Sequence, residues 1–280
     1  IYARLCNWKI KGKKLKVGIV GFGSIGFDVA QRIDQGIENF KLIGVSSRTK
    51  ENVLKKITSF KLKPEVLELE ELCKKSDIII DCAPKVAFKK ILQNCLLNQK
   101  PLITISGSGI LDNFELVINA NKSKTQVILA SGAILGLDGL RAASEGKIFS
   151  VTMVTKKPPN ALKNAKFVLE NKISLAKLSN PKMIFKGSAT EGAKAFPANV
   201  NVAAAVGLAG MGPEKTSLEI WADPKLTRNT HQVFVKSDSA DFEIKINNVQ
   251  SKENPGTGKI TALSVIACLR GRVSSLKTGT

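Results

Sequence analysis

The sequence predicts an α/β chain of two domains: a parallel sheet with helices on both faces, then an α+β domain built on a mixed or antiparallel sheet. Three observations carry this. From Leu15 the chain runs "LKVGIVGFGSIGFDVAQRI", which reads as strand, glycine turn and helix in immediate succession. Apolar strands then alternate with helical patterns up to residue 130, as expected of a parallel sheet buried on both faces. Beyond Ser131, strand-like runs follow one another with polar and apolar residues alternating, as in Phe242-Glu243-Ile244-Lys245-Ile246, which suits a sheet with one open face.

The first strand ends in Gly21-Phe22-Gly23-Ser24-Ile25-Gly26, a G-x-G-x-x-G turn at the start of a βαβ pattern. Gly21 permits the tight turn, Gly23 lets a pyrophosphate approach the backbone, and Gly26 lets helix and strand pack closely. Ser24 and Ile25 open the helix, whose first amides are free to bind phosphate. The turn therefore marks a Rossmann-type dinucleotide site. The second strand, "KLIGV", leads into Ser46-Ser47-Arg48, where an NAD-selective site would carry an acid for the ribose 2′-hydroxyl. Ser47 and Arg48 suit a 2′-phosphate instead, so NADP(H) is expected to be accepted at least as well as NAD(H). Next come a helix over Asn52–Ile57, a strand around Val66–Glu68, a helix over Leu69–Lys74, the strand "DIIIDCAP" and the helix "KVAFKKILQNCLLNQ". The strand "PLITISG", a helix over Asn113–Lys122 and the strand "QVILASGA" complete the alternation. Ligands of such sheets lie beyond the strand C-termini, which nominates the glycine turn, Cys82-Ala83 and Ser131-Gly132-Ala133 as cofactor loops.

In the second half, "IFSVTMVTKKPP", "KMIFKG", "SLEIWADP", "HQVFVKS" and "DFEIKINNV" read as strands. A small-residue helix, "FPANVNVAAAVGLAGMG", is entered at Pro197 and stopped by Gly210 or Gly212. The expected organisation is a basic leader over residues 1–14, a dinucleotide-binding domain over 15–130, and a substrate and catalytic domain over 131–257. The C-terminal helix, 258–272, packs back on the first domain. The cleft between the domains is the default site.

Composition excludes several function classes. No apolar run approaches the ~18 residues needed to cross a bilayer. The five cysteines are scattered and the chain holds one histidine, His231, so a zinc ligand set is absent and a reducing compartment is expected. The leader "IYARLCNWKIKGKKLK" is basic, without acids, and lacks the apolar core of a signal peptide, which places the protein in the cytoplasm. The formal charge is +20, from 43 basic and 23 acidic residues. These cations are spread along the chain and aromatics make up only 5%, which argues against a nucleic-acid partner. The positive field would steer a dianionic substrate and a phosphate-bearing cofactor.

"SGAILGLDGLRAA", "VTKKPP", "GSATEGAKAFPANVNVAAAVGLAG", "ADPKLTRNTHQVFV" and "ENPGTGKITALSVIACLR" resemble the L-aspartate dehydrogenase family, over about Leu15 to Arg270. The resemblance implies oxidation of L-aspartate to iminoaspartate by NAD or NADP, the reverse amination of oxaloacetate, a link to pyridine-nucleotide biosynthesis, and a homodimer. It carries the catalytic histidine onto His231, and nicotinamide-side contacts onto Ala133 and onto Asn199 or Asn201, the motif order favouring Asn201. Relatives often carry Arg-Lys before the prolines, so Lys156 here departs from the pattern, and a lysine grips a carboxylate less precisely than an arginine.

Removing hydride from the α-carbon requires a neutral amine and cations for two carboxylates. Histidine is the side chain best suited to exchange that proton near neutrality. Lys156, Lys157 and Arg228 are candidate carboxylate partners, and Asn199, Asn229 and Thr230 are further candidate substrate contacts. The alternatives are a related two-domain reductase, resembling dihydrodipicolinate reductase or homoserine dehydrogenase, and a non-catalytic nucleotide-sensing or nucleic-acid-associated protein.

Overall fold

The computed structural model describes residues 14–196, 201–251 and 257–279. The leader, except its last residue, and the entry of the small-residue helix, with Pro197 and Asn199, lie outside the described residues. The chain divides into two compact units, residues up to 130 with 261–278, and residues 131–260.

The first unit is a six-stranded sheet ordered β3-β2-β1-β4-β5-β6. The strands are β1 (Leu15–Val20), β2 (Phe40–Ser46), β3 (Glu65–Val66), β4 (Ile78–Asp81), β5 (Leu102–Thr104) and β6 (Val127–Leu129). Every pairing is parallel. Both faces of β4 and β5 are buried throughout, which is why those strands read as unbroken apolar runs. The helix Ile260–Gly271 belongs to this unit, where Ala262, Val265, Ile266 and Leu269 join the core around Val17, Ile19, Val29 and Ile33. The valine, isoleucine and leucine among them each contribute roughly 1.5–3 kcal/mol on burial, so a helix remote in sequence is held firmly to the sheet.

Several boundaries differ from the sequence reading. The strand read in "PLITISG" stops at Thr104, and a helix, Gly107–Asp112, follows where the sequence reading assigned the end of that strand and no further element. The single helix expected over Asn113–Lys122 is a short α-helix, Phe114–Ile118, continued as a 3₁₀ turn over Asn119–Ser123. The strand expected at Val66–Glu68 is only Glu65–Val66, because Glu68 already precedes a helix as its N-cap.

The second unit is a five-stranded mixed sheet ordered β11-β10-β7-β9-β8. Its strands are β7 (Ile148–Lys157), β8 (Lys182–Ser188), β9 (Ser217–Ala222), β10 (Thr230–Ser237) and β11 (Phe242–Asn247). Only the β7–β9 pairing is parallel. Phe167, Phe185 and Phe196 stack with ring centroids 5.2–5.8 Å apart and anchor the elements around β8. The helix that leaves β8, Ala189–Ala195, starts with a reciprocal capping box between Ser188 and Glu191.

Two glycines make the β1 turn possible. Gly21 holds φ +88°, a left-handed conformation, and a Cβ there would lie 2.5 Å from the Ala83 nitrogen. A Cβ on Gly26 would lie 2.0 Å from the Gly21 carbonyl oxygen, whereas one on Gly23 meets nothing within 4 Å. Gly26→Ala is therefore expected to lower the unfolding free energy by about 1–3 kcal/mol through overpacking. Gly23→Ala is expected to unfold at the wild-type temperature, and thermal melts followed by circular dichroism compare the two. Equal melting points for both variants would contradict the close backbone packing at Gly26.

Candidate active site

In the first unit the predicted cofactor residues collect at one rim. β1, β2 and β4 are adjacent and parallel, so the loops leaving their C-terminal ends lie side by side. These loops carry Gly21–Gly26, Ser47-Arg48 and Cys82-Ala83. The helix Ser24–Asp34 has no side-chain cap and no acid in its first turn, so its free amides and positive dipole end can receive phosphate. Gly23 is exposed, and Ser24 is half-buried beside it. Ile25 packs on the hydrophobic core, so only its backbone is available to a ligand. Arg48 is exposed and Ser47 half-buried, and no carboxylate sits at the end of β2. Cys82 is partly buried against the same core, and burial pushes its thiol far above its ordinary range, which makes it an inert neutral group.

In the second unit strand pairing brings the candidate residues together. His231 lies directly opposite Thr155 on β7 and Ile246 on β11. The residue is 5% exposed, and its Nδ1 lies 3.1 Å from the Thr155 hydroxyl. That contact commits Nδ1, whichever group donates, and leaves Nε2 for a ligand. Burial, with the nearby positive charge of Lys157, pushes the imidazole down to about 4, so the ring is neutral at physiological pH. Lys157 is itself 5% exposed, and burial lowers its ammonium to about 8.

The two neighbouring lysines separate cleanly. Val151, Met153, Thr155 and Lys157 form the buried row of β7, and His231, Val233 and Val235 form that of β10. Lys157 therefore shares a face with His231 and Thr155. Lys156, also expected as a carboxylate partner, lies on the opposite face, paired with Trp221, beside Glu219, whose carboxyl is held below its usual range first by the Trp221 hydrogen bond and then by Lys186 and Lys156. Strand alternation, not residue chemistry, separates the two lysines.

Arg228 is exposed, and Asn229 and Thr230 are buried. The Asn229 side-chain oxygen is buried without a hydrogen-bond partner among the described residues, a costly state that a bound donor would relieve. Asn201 is exposed at the start of the helix Asn201–Ala209. Gly132 adopts φ +65° and Ile134 N–H bonds back to the Ser131 carbonyl, so Ser131–Ala133 forms a tight turn. Sequence reasoning missed Asn248. It is 4% exposed, its backbone N–H donates to the Asn229 carbonyl at 3.0 Å, and its side-chain amide donates to the Ala133 carbonyl at 3.2 Å. One asparagine thus ties the "SGA" turn to the segment bearing His231. The only signal in the sequence was an amide just past an alternating strand. Among the described residues no cluster of side chains could hold a metal ion, and no helix is long and apolar enough to cross a membrane.

Comparison with known proteins turns this geometry into a family assignment. Residues 138–272 match the model for "Aspartate dehydrogenase, C-terminal", and residues 21–130 match "Homoserine dehydrogenase, NAD binding domain". The chain is 43% identical to the L-aspartate dehydrogenase of Bradyrhizobium diazoefficiens, over 98% of this chain and 99% of that one. It belongs to the L-aspartate dehydrogenase family. A second member, L-aspartate dehydrogenase 3 of Bordetella bronchiseptica, is 39% identical over 96% of this chain and 98% of its own length. The crystal structure of aspartate dehydrogenase from Thermotoga maritima superposes with a TM-score of 0.74 at 28% identity, covering 95% of this chain and 99% of that one. The homoserine-dehydrogenase match is confined to the nucleotide-binding half, and the C-terminal match sets this family apart from reductases with a similar first half.

The buried imidazole has a thermodynamic consequence. The folded-state pKa lies below the unfolded value of 6.5, so the unfolded chain binds the proton first as pH falls. His231 contributes stability that is fully present above pH 6.5 and is lost as the pH falls towards 4, roughly 3 kcal/mol in all. Asp81 acts oppositely in the overlapping window, because burial raises its carboxyl to about 6. The informative quantity is accordingly a difference: urea unfolding of wild type minus His231→Gln should fall by about that 3 kcal/mol between pH 7 and pH 4. A flat difference would contradict a buried neutral ring.

Proposed function

We propose that the chain is an NAD(P)-dependent oxidoreductase that converts L-aspartate to iminoaspartate and, in reverse, reductively aminates oxaloacetate. The observation that carries this reading is the buried row His231, Thr155 and Lys157, a proton-exchanging imidazole beside a buried cation on one face of the second sheet. The capless helix at the glycine turn and the open space at Gly23 fit a dinucleotide pyrophosphate. When bound, the nicotinamide supplies the hydride acceptor.

The residues divide the remaining work. Lys157, with Arg228 as a second candidate, supplies positive charge for the substrate carboxylates. The unsatisfied Asn229 oxygen is an acceptor for an amine N–H. His231, neutral in the free protein, takes a proton from the substrate amine at Nε2, so that hydride leaves from an α-carbon bearing a neutral nitrogen. A low pKa suits this task because it is not fixed. The substrate brings two carboxylates close to the ring, and opposite charge favours the protonated imidazole. Asn201 and the Ser131–Ala133 turn orient the nicotinamide in this reading, with Asn248 holding the turn in place. Exposed Arg48 and half-buried Ser47 favour acceptance of NADP(H) beside NAD(H).

The positive balance of +20 concentrates both a dianionic substrate and an anionic cofactor. The iminoaspartate product suits a role at the entry to pyridine-nucleotide synthesis. A cytoplasmic homodimer completes the proposal.

Absorbance at 340 nm tests it. L-aspartate with NADP or NAD is expected to yield reduced cofactor, with malate, homoserine and alanine far slower and NADP at least as efficient as NAD. His231→Ala is expected to stay folded and lose about 10²–10⁴-fold in turnover. Silence with aspartate, and with oxaloacetate, ammonia and reduced cofactor, would defeat the activity. Strong selectivity for NAD would defeat the reading of Arg48.

A further inference from the structure

Asp81 is the last residue of β4 and only 1% exposed. One carboxylate oxygen accepts the Ala83 backbone N–H at 2.9 Å, and the other accepts the Thr104 hydroxyl at 2.8 Å from the neighbouring strand. Thr104 in turn accepts the Ser106 backbone N–H at 2.9 Å. On its other side Asp81 is in register with Val20, the residue before the glycine turn, and the Cys82 N–H donates to the Val20 carbonyl at 2.8 Å. The Cys82-Ala83 backbone fills the space where a Gly21 Cβ would stand. Those two residues are thus pinned between the glycine turn and a buried carboxylate.

We propose that Asp81 is a positioning residue for the dinucleotide, its charge fixing the Cys82-Ala83 loop against the glycine turn and so setting the backbone that receives the cofactor. This rests on the dinucleotide reading of that turn. A structural cap alone has no use for a buried charge, since a neutral amide or hydroxyl could accept the Ala83 N–H at lower desolvation cost. The groups around Asp81 do not neutralise it. Its own loop offers Cys82, the helix Phe88–Leu97 offers Cys95, and the Asp81 charge raises both thiols further. β5 offers the Thr104 hydroxyl, β1 offers apolar Val20, and Asp81 makes no ion pair among the described residues. Burial holds the carboxyl near 6, against the lowering effect of the Ala83 and Thr104 hydrogen bonds. On protonation, an acid O–H meets the Thr104 hydroxyl that formerly donated to it, and the relay must rearrange. Cofactor affinity is then coupled to pH in the mildly acidic range.

The test is NADH binding to the full chain, followed by cofactor fluorescence from pH 5.5 to 8. Wild type is expected to bind several-fold more weakly at the acidic end. Asp81→Asn is expected to bind about tenfold more weakly at pH 7.5, having lost a charge-assisted contact, and to show no inflection. Thr104→Val removes a hydrogen bond that stabilises the carboxylate, so its inflection should move to higher pH. Folded Asp81→Asn with wild-type affinity and a wild-type pH profile overturns the proposal. Should that variant fail to fold, Thr104→Val decides alone, and an unmoved inflection overturns it. A wild-type chain that binds no NADH at any pH instead overturns the dinucleotide reading beneath it.

Discussion

On β10 the imidazole of His231 stands opposite Thr155 of β7, and that pairing decides which side chains share its face. With this register, Thr155 orients the ring through Nδ1, and Lys157, two residues along β7, lands on the same covered side. A slip of one residue would exchange the buried and open rows, offer Lys156 in place of Lys157, and leave Nδ1 without its hydroxyl. The register is held by Val151 and Met153 on β7 and by Val233 and Val235 on β10, all buried in the same two rows. The apolar half of those rows therefore holds the polar half in place. Asn248 extends the control beyond the sheet by fastening the Ala133 turn to the strand that carries His231.

Burying these polar groups is expensive, and the direction of each shift shows how the protein bears the cost. His231 is kept neutral, the Lys157 ammonium is weakened, and Asp81 is drawn towards its protonated form. All three shifts have desolvation as their first cause. Groups held away from their preferred charge state respond strongly to an arriving ligand of opposite sign. An anionic substrate bound as proposed would be such a ligand for the first two. The wide distribution of surface lysines acts at longer range, as a general attraction for anions.

Much of this was legible in the sequence because it depended on local patterns. The glycine turn combines a left-handed Gly21 with a close backbone approach at Gly26, demands that few residues meet, so the β1–turn–helix unit could be placed almost to the residue. The alternating strands of the second half were equally plain. Other features depended on contacts distant in sequence. The helix Gly107–Asp112 escaped because its first residue was taken into the strand "PLITISG" and its serine and glycines are poor helix formers. Which of Lys156 and Lys157 shares the covered face with His231 depended on the phase of β7, which two adjacent lysines cannot reveal. Thr155, Asn248 and Asp81 drew no attention because a threonine, an amide and a strand-end acid are ordinary until their partners are known. His231 was the reverse case: its burial was invisible in sequence, while the family resemblance carried by "ADPKLTRNTHQVFV" and its neighbouring motifs nominated it.

The presence of a single histidine makes one measurement unusually direct. Imidazole resonances of the ¹³C/¹⁵N-histidine-labelled chain report His231 alone. The ring is expected to be neutral at pH 7, to titrate near 4 in the free protein and to shift when L-aspartate is added with oxidised cofactor. A ring that titrates near the ordinary 6.5 and ignores L-aspartate would contradict both the buried pairing with Thr155 and the role assigned to His231.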